Sequence, residues 1–267
     1  MKLYLIPILI LLLPIISFGQ TQPEMWDTYL ASYENNMPGS VTLRMDLINS
    51  APITSKPFVV ITGPKYKTER ADGFPTDFDV LYKIEDYIIE ALKKDRDIIP
   101  AGTFTHNKER LQYIYIGDTV GVNAILENAY RKVAEGQDYY LNIRFDKDWE
   151  GYIKFLYPNK YIMNDMTNRK IVMSLIQEGD DLSQKREVDH WFYFSEKKNM
   201  QTCIKQLENK GFTIKKKGKH KNGNFQLIVQ DDTYVKIDSI NKITLELMQI
   251  ANALEGNYDG WETQMIK

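Results

Sequence analysis

The chain has 267 residues, 43% apolar and 26% charged, and its 34 basic and 36 acidic side chains leave a net charge of −2. That balance excludes a global pull toward nucleic acid. A single cysteine, Cys203, excludes an internal disulfide, so the fold must be held by its core, which a chain of this length can supply as one large domain or two ordinary ones.

At the N-terminus Lys2 precedes an apolar stretch from Leu3 to Ile16, and Ser17 and Gly19 stand three and one positions before a cut after Gly19. This is the pattern of a secretory leader. The stretch is about fourteen residues, broken by Pro7 and Pro14, whereas a membrane-spanning helix needs roughly 20. The expectation is a leader over 1–19, a mature chain from Gln20, and export to the periplasm or exterior of a bacterium. No cysteine lies near the cut to take a lipid, and no later apolar segment is long enough to span a membrane.

After a polar lead-in containing Trp26 and Tyr29, the residues Val41, Leu43, Met45 and Leu47 alternate with polar partners and predict a strand. A second strand runs from Phe58 to Thr62. Thr76 is the expected N-cap of a helix to Lys94, whose Leu81, Ile84, Ile88 and Leu92 form one apolar stripe. Next come a hairpin, Thr103–His106 and Leu111–Ile116, turning at Asn107-Lys108, then a helix over 120–135 and a strand through Tyr139, Leu141, Ile143 and Phe145. The order ββαββαβ fits an antiparallel sheet with helices on one face, an α+β module.

From Pro158 to Asn168 the pattern lapses into a connection, which places a module boundary near Asp165 and gives modules over 20–164 and 165–267. A short helix through Ile171, Val172 and Leu175 follows, then a strand from His190 to Phe194. Ser195 is the expected cap of a helix carrying Met200, Cys203, Ile204 and Leu207. Phe212 and Ile214 form a hairpin with Phe225, Leu227 and Val229, and a last helix runs from Ser239 to Leu254. This αβαββα order is a ferredoxin-like sandwich lacking its final strand.

Several of these residues carry a resemblance. The run Ile171-Val172-Met173-Ser174-Leu175 with Glu178-Gly179-Asp180, then Val188-Asp189-His190, Lys210-Gly211-Phe212, Leu247-Met248 and above all Tyr258-Asp259-Gly260-Trp261 resembles RraB, the regulator of ribonuclease E activity B, over roughly residues 168 to 265. The preceding part, with Trp26, Gly102-Thr103, Tyr113 to Tyr115, Asp146, Trp149, Tyr152 and Pro158, is similar to the domain of unknown function 695 family. The RraB resemblance implies a non-enzymatic cytoplasmic protein that binds ribonuclease E and restrains RNA decay. The other brings no activity with it.

No catalytic constellation stands out. His106, His190 and His220 show no HxH, HExxH or CxxC spacing, and no GxSxG, P-loop or GxGxxG sequence is present, so neither a metal nor a nucleotide cofactor is expected. Asp189 and His190, beside Trp191, are strand neighbours that point to opposite faces and read as structural or partner contacts. Asp146 and Asp148 suit a hydrolase on paper, but carboxylates where a strand gives way to a helix serve as caps. Lys215, Lys216, Lys217 and Lys219 crowd a hairpin, where they grip phosphates or an acidic partner or simply guard a sheet edge. Trp261 is expected to fold over its module or, in the sharper reading, to meet a partner together with Tyr258 and Asp259, and Cys203 to be a small buried hydrophobe. The function expected is an exported, non-catalytic protein that binds another protein. The alternatives are a cytoplasmic ribonuclease regulator and a hydrolase using Asp146 and Asp148.

Overall fold

The computed structural model of the chain describes residues 23–33, 36–221 and 223–267; the leader expected over 1–19 lies outside them. The α+β reading with two antiparallel sheets holds.

In the N-terminal module the strands are β1 (Trp26–Ser32), β2 (Pro38–Arg44), β3 (Phe58–Pro64), β4 (Ile98–His106), β5 (Glu109–Ile116) and β6 (Tyr139–Phe145), in sheet order β1-β2-β4-β5-β3-β6. Helices α1 (Phe78–Lys93) and α2 (Val122–Val133) lie on one face, where Ile84, Ile88, Leu92, Leu126 and Tyr130 meet Val60, Ile114 and Ile116. The β4–β5 turn sits at Asn107-Lys108 with φ of 47° and 64°, the left-handed pair that a two-residue hairpin requires.

Three local expectations need correction. Trp26 and Tyr29 belong to a strand rather than a lead-in; as an edge strand, β1 buries only Tyr29, so its alternation is faint. The strand predicted through Leu47 stops at Arg44, because the Asp46 carboxylate takes the Met25 amide at 2.9 Å and the Arg44 guanidinium at 2.7 Å and turns the chain into a 3-10 segment, Met45–Asn49. The cap of α1 is Asp77, which accepts from the Val80 amide at 3.2 Å, while the Thr76 hydroxyl bonds Thr68 instead.

The second face of this sheet is covered too. A π-helical segment, Gly151–Leu156, packs Tyr152 and Leu156, with Trp149 just before it, against Val59, Ile61, Tyr113 and Tyr115. Asp146 builds the turn into it, accepting from the Glu150 amide (2.8 Å), the Gly151 amide (2.9 Å) and the Tyr115 hydroxyl (2.8 Å). A side chain at Gly151 would meet Asp146 Oδ2 and Tyr115 Oη at 3.1 Å, so this close approach calls for glycine.

The C-terminal module contains α3 (Lys160–Gln177), β7 (Lys185–Phe194), α4 (Lys197–Glu208), β8 (Thr213–Lys219), β9 (Phe225–Tyr234), α5 (Ile237–Ala253) and β10 (Gly256–Thr263). Its sheet runs β10-β7-β9-β8 with antiparallel neighbours, and α4 and α5 cover one side. This is a ferredoxin-like βαββαβ unit preceded by α3, and the strand expected to be missing is present as β10. A bulge between Tyr258 and Gly260, with Gly260 at φ 125°, breaks the period of two, so both Tyr258 and Trp261 turn inward although three residues apart.

The connection expected over Pro158 to Asn168 is the first half of α3. Asn159 caps it, accepting from the amides of Tyr161 (2.9 Å) and Ile162 (3.1 Å), and the helix passes unbroken through Asp165. It shows no single apolar stripe because it serves two cores: Ile162 and Met166 pack into the N-terminal module and Val172 into the C-terminal one. Two further boundaries move. Glu196, not Ser195, precedes α4 and makes no side-chain cap bond, and α5 begins at Ile237 rather than Ser239.

Candidate partner-binding face

The alternation of β7 sorts its side chains onto two faces. His190, Phe192 and Phe194 are buried beneath α4 and α5, whereas Asp189, Trp191 and Tyr193 stand half-buried on the other face, which no helix of the module covers. Across the strand pairs, Trp191 lies opposite Ile228 on β9 and Gly260 on β10, Asp189 opposite Gln230 and Glu262, and Tyr193 opposite Gln226. The β10 partner of Trp191, Gly260, carries no side chain.

Short polar contacts frame this apolar centre. Lys215 donates to Asp189 at 2.8 Å, a contact that raises the lysine's pKa above its ordinary value. Gln230 donates to Glu187 (2.9 Å) and Asp189 (3.1 Å), and Gln226 to the Tyr193 hydroxyl (2.9 Å). At the acidic end lies a groove of about 390 Å³ lined by Arg186, Glu187, Asp189, Lys215, Gln230 and Glu262 among others. Lys216, Lys217 and Lys219 are exposed on β8, the outer strand of the sheet.

The remaining sequence-predicted residues face inward or stand apart. His190 is fully buried, 2.9 Å from the Tyr258 hydroxyl through Nδ1 and 3.1 Å from Asp231 through Nε2. One tautomer satisfies both: Nε2–H donates to the carboxylate and Nδ1 accepts from the phenol. The partner of His190 is therefore Asp231, not its neighbour Asp189, and the contact braces β7, β9 and β10. Burial raises the Tyr258 phenol pKa far above its usual range. Trp261, also buried, donates through Nε1 to Asn168 at 2.8 Å; Asn168 in turn donates to Asn241 and Thr244, each at 2.8 Å, locking α3 to α5 and β10. Asp259 is exposed at the bulge and lines a second groove of about 360 Å³ with Asn164, Met248 and Asn257.

The residues weighed for catalysis are held in structural roles or stand apart. Asp146 spends both oxygens on its turn while Asp148 is exposed. Burial pushes the Cys203 thiol up to about 12. Among the described residues no group of three or more His, Cys, Asp or Glu side chains is placed to hold a metal ion, and no helix is long and apolar enough to cross a membrane. Three residues that matter escaped the sequence reading. Tyr193 was findable two positions from Trp191 on the same strand; Asn168 and Asp231 carry no local signal, since their roles exist only once distant elements pack.

The model of the family described as Regulator of ribonuclease activity B matches residues 165–263, and that of the Family of unknown function (DUF695) matches residues 24–157. No curated protein is detectably similar to the chain. Among solved structures, a candidate glycine cleavage system transcriptional repressor shares 9% identity at a TM-score of 0.25, covering 78% of this chain and 97% of its own. An unknown protein from Galdieria sulphuraria shares 10% at a TM-score of 0.20, covering 76% of this chain and 96% of its own. Scores this low carry no weight for fold or function. The family matches place the chain: it belongs to the DUF695 family, and its residues 165–263 are similar to the Regulator of ribonuclease activity B family.

Proposed function

We propose that this is an exported, non-catalytic protein that acts by holding another protein on the open sheet face of its C-terminal module. The observation that carries the reading is the face around Trp191, Tyr193 and Ile228, where half-exposed aromatic and apolar side chains are ringed by polar ones, the anatomy of a recognition surface. The description of the matched family as a regulator supports binding over turnover. So does the use of His190, Asp146 and Cys203 inside the fold. In this reading the N-terminal module is a rigid mount, tied on through α3 and the Lys170–Asp27 ion pair at 2.5 Å.

Fractionation with N-terminal sequencing tests the location: a mature terminus at Gln20 in the exported fraction is expected, and an intact Met1 confined to the cytoplasm overturns export and favours a ribonuclease regulator. Affinity capture tests the face. The mature chain is expected to retain an envelope protein that Trp191→Glu loses and Tyr87→Glu, on exposed α1, keeps; retention by both variants contradicts it.

A further inference from the structure

Strand β8 forms the outer edge of the C-terminal sheet and, among the described residues, pairs with β9 alone, so one side of its backbone is open to bond another strand. Beyond the bulge between Ile214 and Lys216, its sequence is Lys216-Lys217-Gly218-Lys219. All three lysines are exposed and, among the described residues, none makes an ion pair; Lys215 alone is taken, by Asp189. Lysines on an edge repel ordinary strands and so keep copies of a chain from stacking. The same charges become a selector when the incoming strand is acidic, because its carboxylates remove the repulsion that a neutral or basic strand meets.

We infer that the free edge of β8 takes an acidic extended protein segment as a fifth strand, its backbone bonding β8 and its carboxylates meeting Lys216, Lys217 and Lys219. This rests on the protein-binding reading above and names where a partner engages and with what chemistry. Polypeptide is favoured over nucleic acid for two reasons. Free backbone donors and acceptors match another backbone, and no aromatic side chain is interleaved with the lysines to stack a base. A second copy fits less well, because the opposite edge, β10, is bulged between Tyr258 and Gly260.

The test uses the mature full chain and four labelled probes: an extended peptide with Glu at both odd and even positions, so that carboxylates reach both strand faces as Lys216 and Lys217 do, its Lys-for-Glu counterpart, the acidic peptide N-methylated at alternate amides, and a thymidine oligonucleotide. The acidic peptide is expected to bind about tenfold or more tighter than its lysine counterpart. It should weaken by a similar factor in the triple variant K216E/K217E/K219E, three exposed ion pairs being lost, and again as salt rises. It is also expected to slow amide exchange in β8. Equal binding of the N-methylated peptide, a preference for the oligonucleotide, or no binding at about 1 mM peptide overturns the inference. So does a triple variant that changes the sedimentation mass, which would assign the edge to a second copy. Retention of the captured envelope protein by the triple variant, with its loss in Trp191→Glu, sinks the edge while sparing the face; loss in neither sinks both.

Discussion

The two sheets are put to opposite uses. In the N-terminal module β3 and β5 are buried almost from end to end, because α1 and α2 cover one face and the Trp149–Leu156 segment the other. In the C-terminal module β7 alternates strictly, buried then half-exposed, because only one face is covered. A sheet covered twice has no face left to present; a sheet covered once keeps an open face, the one proposed for recognition. The polar groups follow suit. Glu85 and Arg110, paired at 2.8 Å beneath α1, and Asp146 in its turn are used to close the N-terminal module, whereas Asp189, Gln226, Gln230 and Lys215 rim an apolar patch in the other.

This contrast can be broken at its strongest point first. Trp149 is fully buried, stacks on Tyr115 at 3.8 Å and donates to the Lys56 carbonyl at 2.9 Å. Trp149→Ala is expected to cost about 3–5 kcal/mol in urea unfolding. A loss below about 1 kcal/mol would mean the second face is not sealed.

Arg110→Met comes next. Burial raises the Glu85 pKa above the ordinary 4.5 even with the guanidinium beside it. Since the folded value lies above the unfolded one, stability linked to this group is fully present below the unfolded value and is lost as pH rises through the folded one. Removing Arg110 strands the charged form, so the variant is expected to lose about 3–5 kcal/mol near neutral pH. The loss should shrink as pH falls through the raised range, where a neutral carboxyl does not need the cation. A loss that stays constant with pH contradicts the account. The smallest effect is at Cys203, whose thiol, pushed up to about 12 by burial, should ignore thiol reagents in the folded chain and react only on unfolding. Rapid labelling of the native chain would show that the C-terminal core is not closed.

How much of this the sequence discloses follows the same divide. Helix α1 and strand β6 were legible because each presents a sustained period to one core, strand β3 because its apolar run is continuous, and the Asn107-Lys108 turn because it sits between two apolar runs. Strand β1 was not, since an edge strand buries too little to enforce alternation, nor was the front of α3, whose apolar residues answer to two cores at once. Strand β10 was hidden by its own bulge. Among the site residues, Trp191 and the lysine run were legible as types out of place. Asn168 and Asp231 became meaningful only when Trp261 and His190 folded over them.

The central claim is that recognition belongs to the open face of the C-terminal sheet. Placing a photoreactive benzoylphenylalanine at position 193, an aromatic exchanged for an aromatic, and at position 87 on α1 tests it in living cells. The account predicts a discrete protein adduct from position 193 and none from position 87. An adduct from position 87 alone, or from neither, contradicts it.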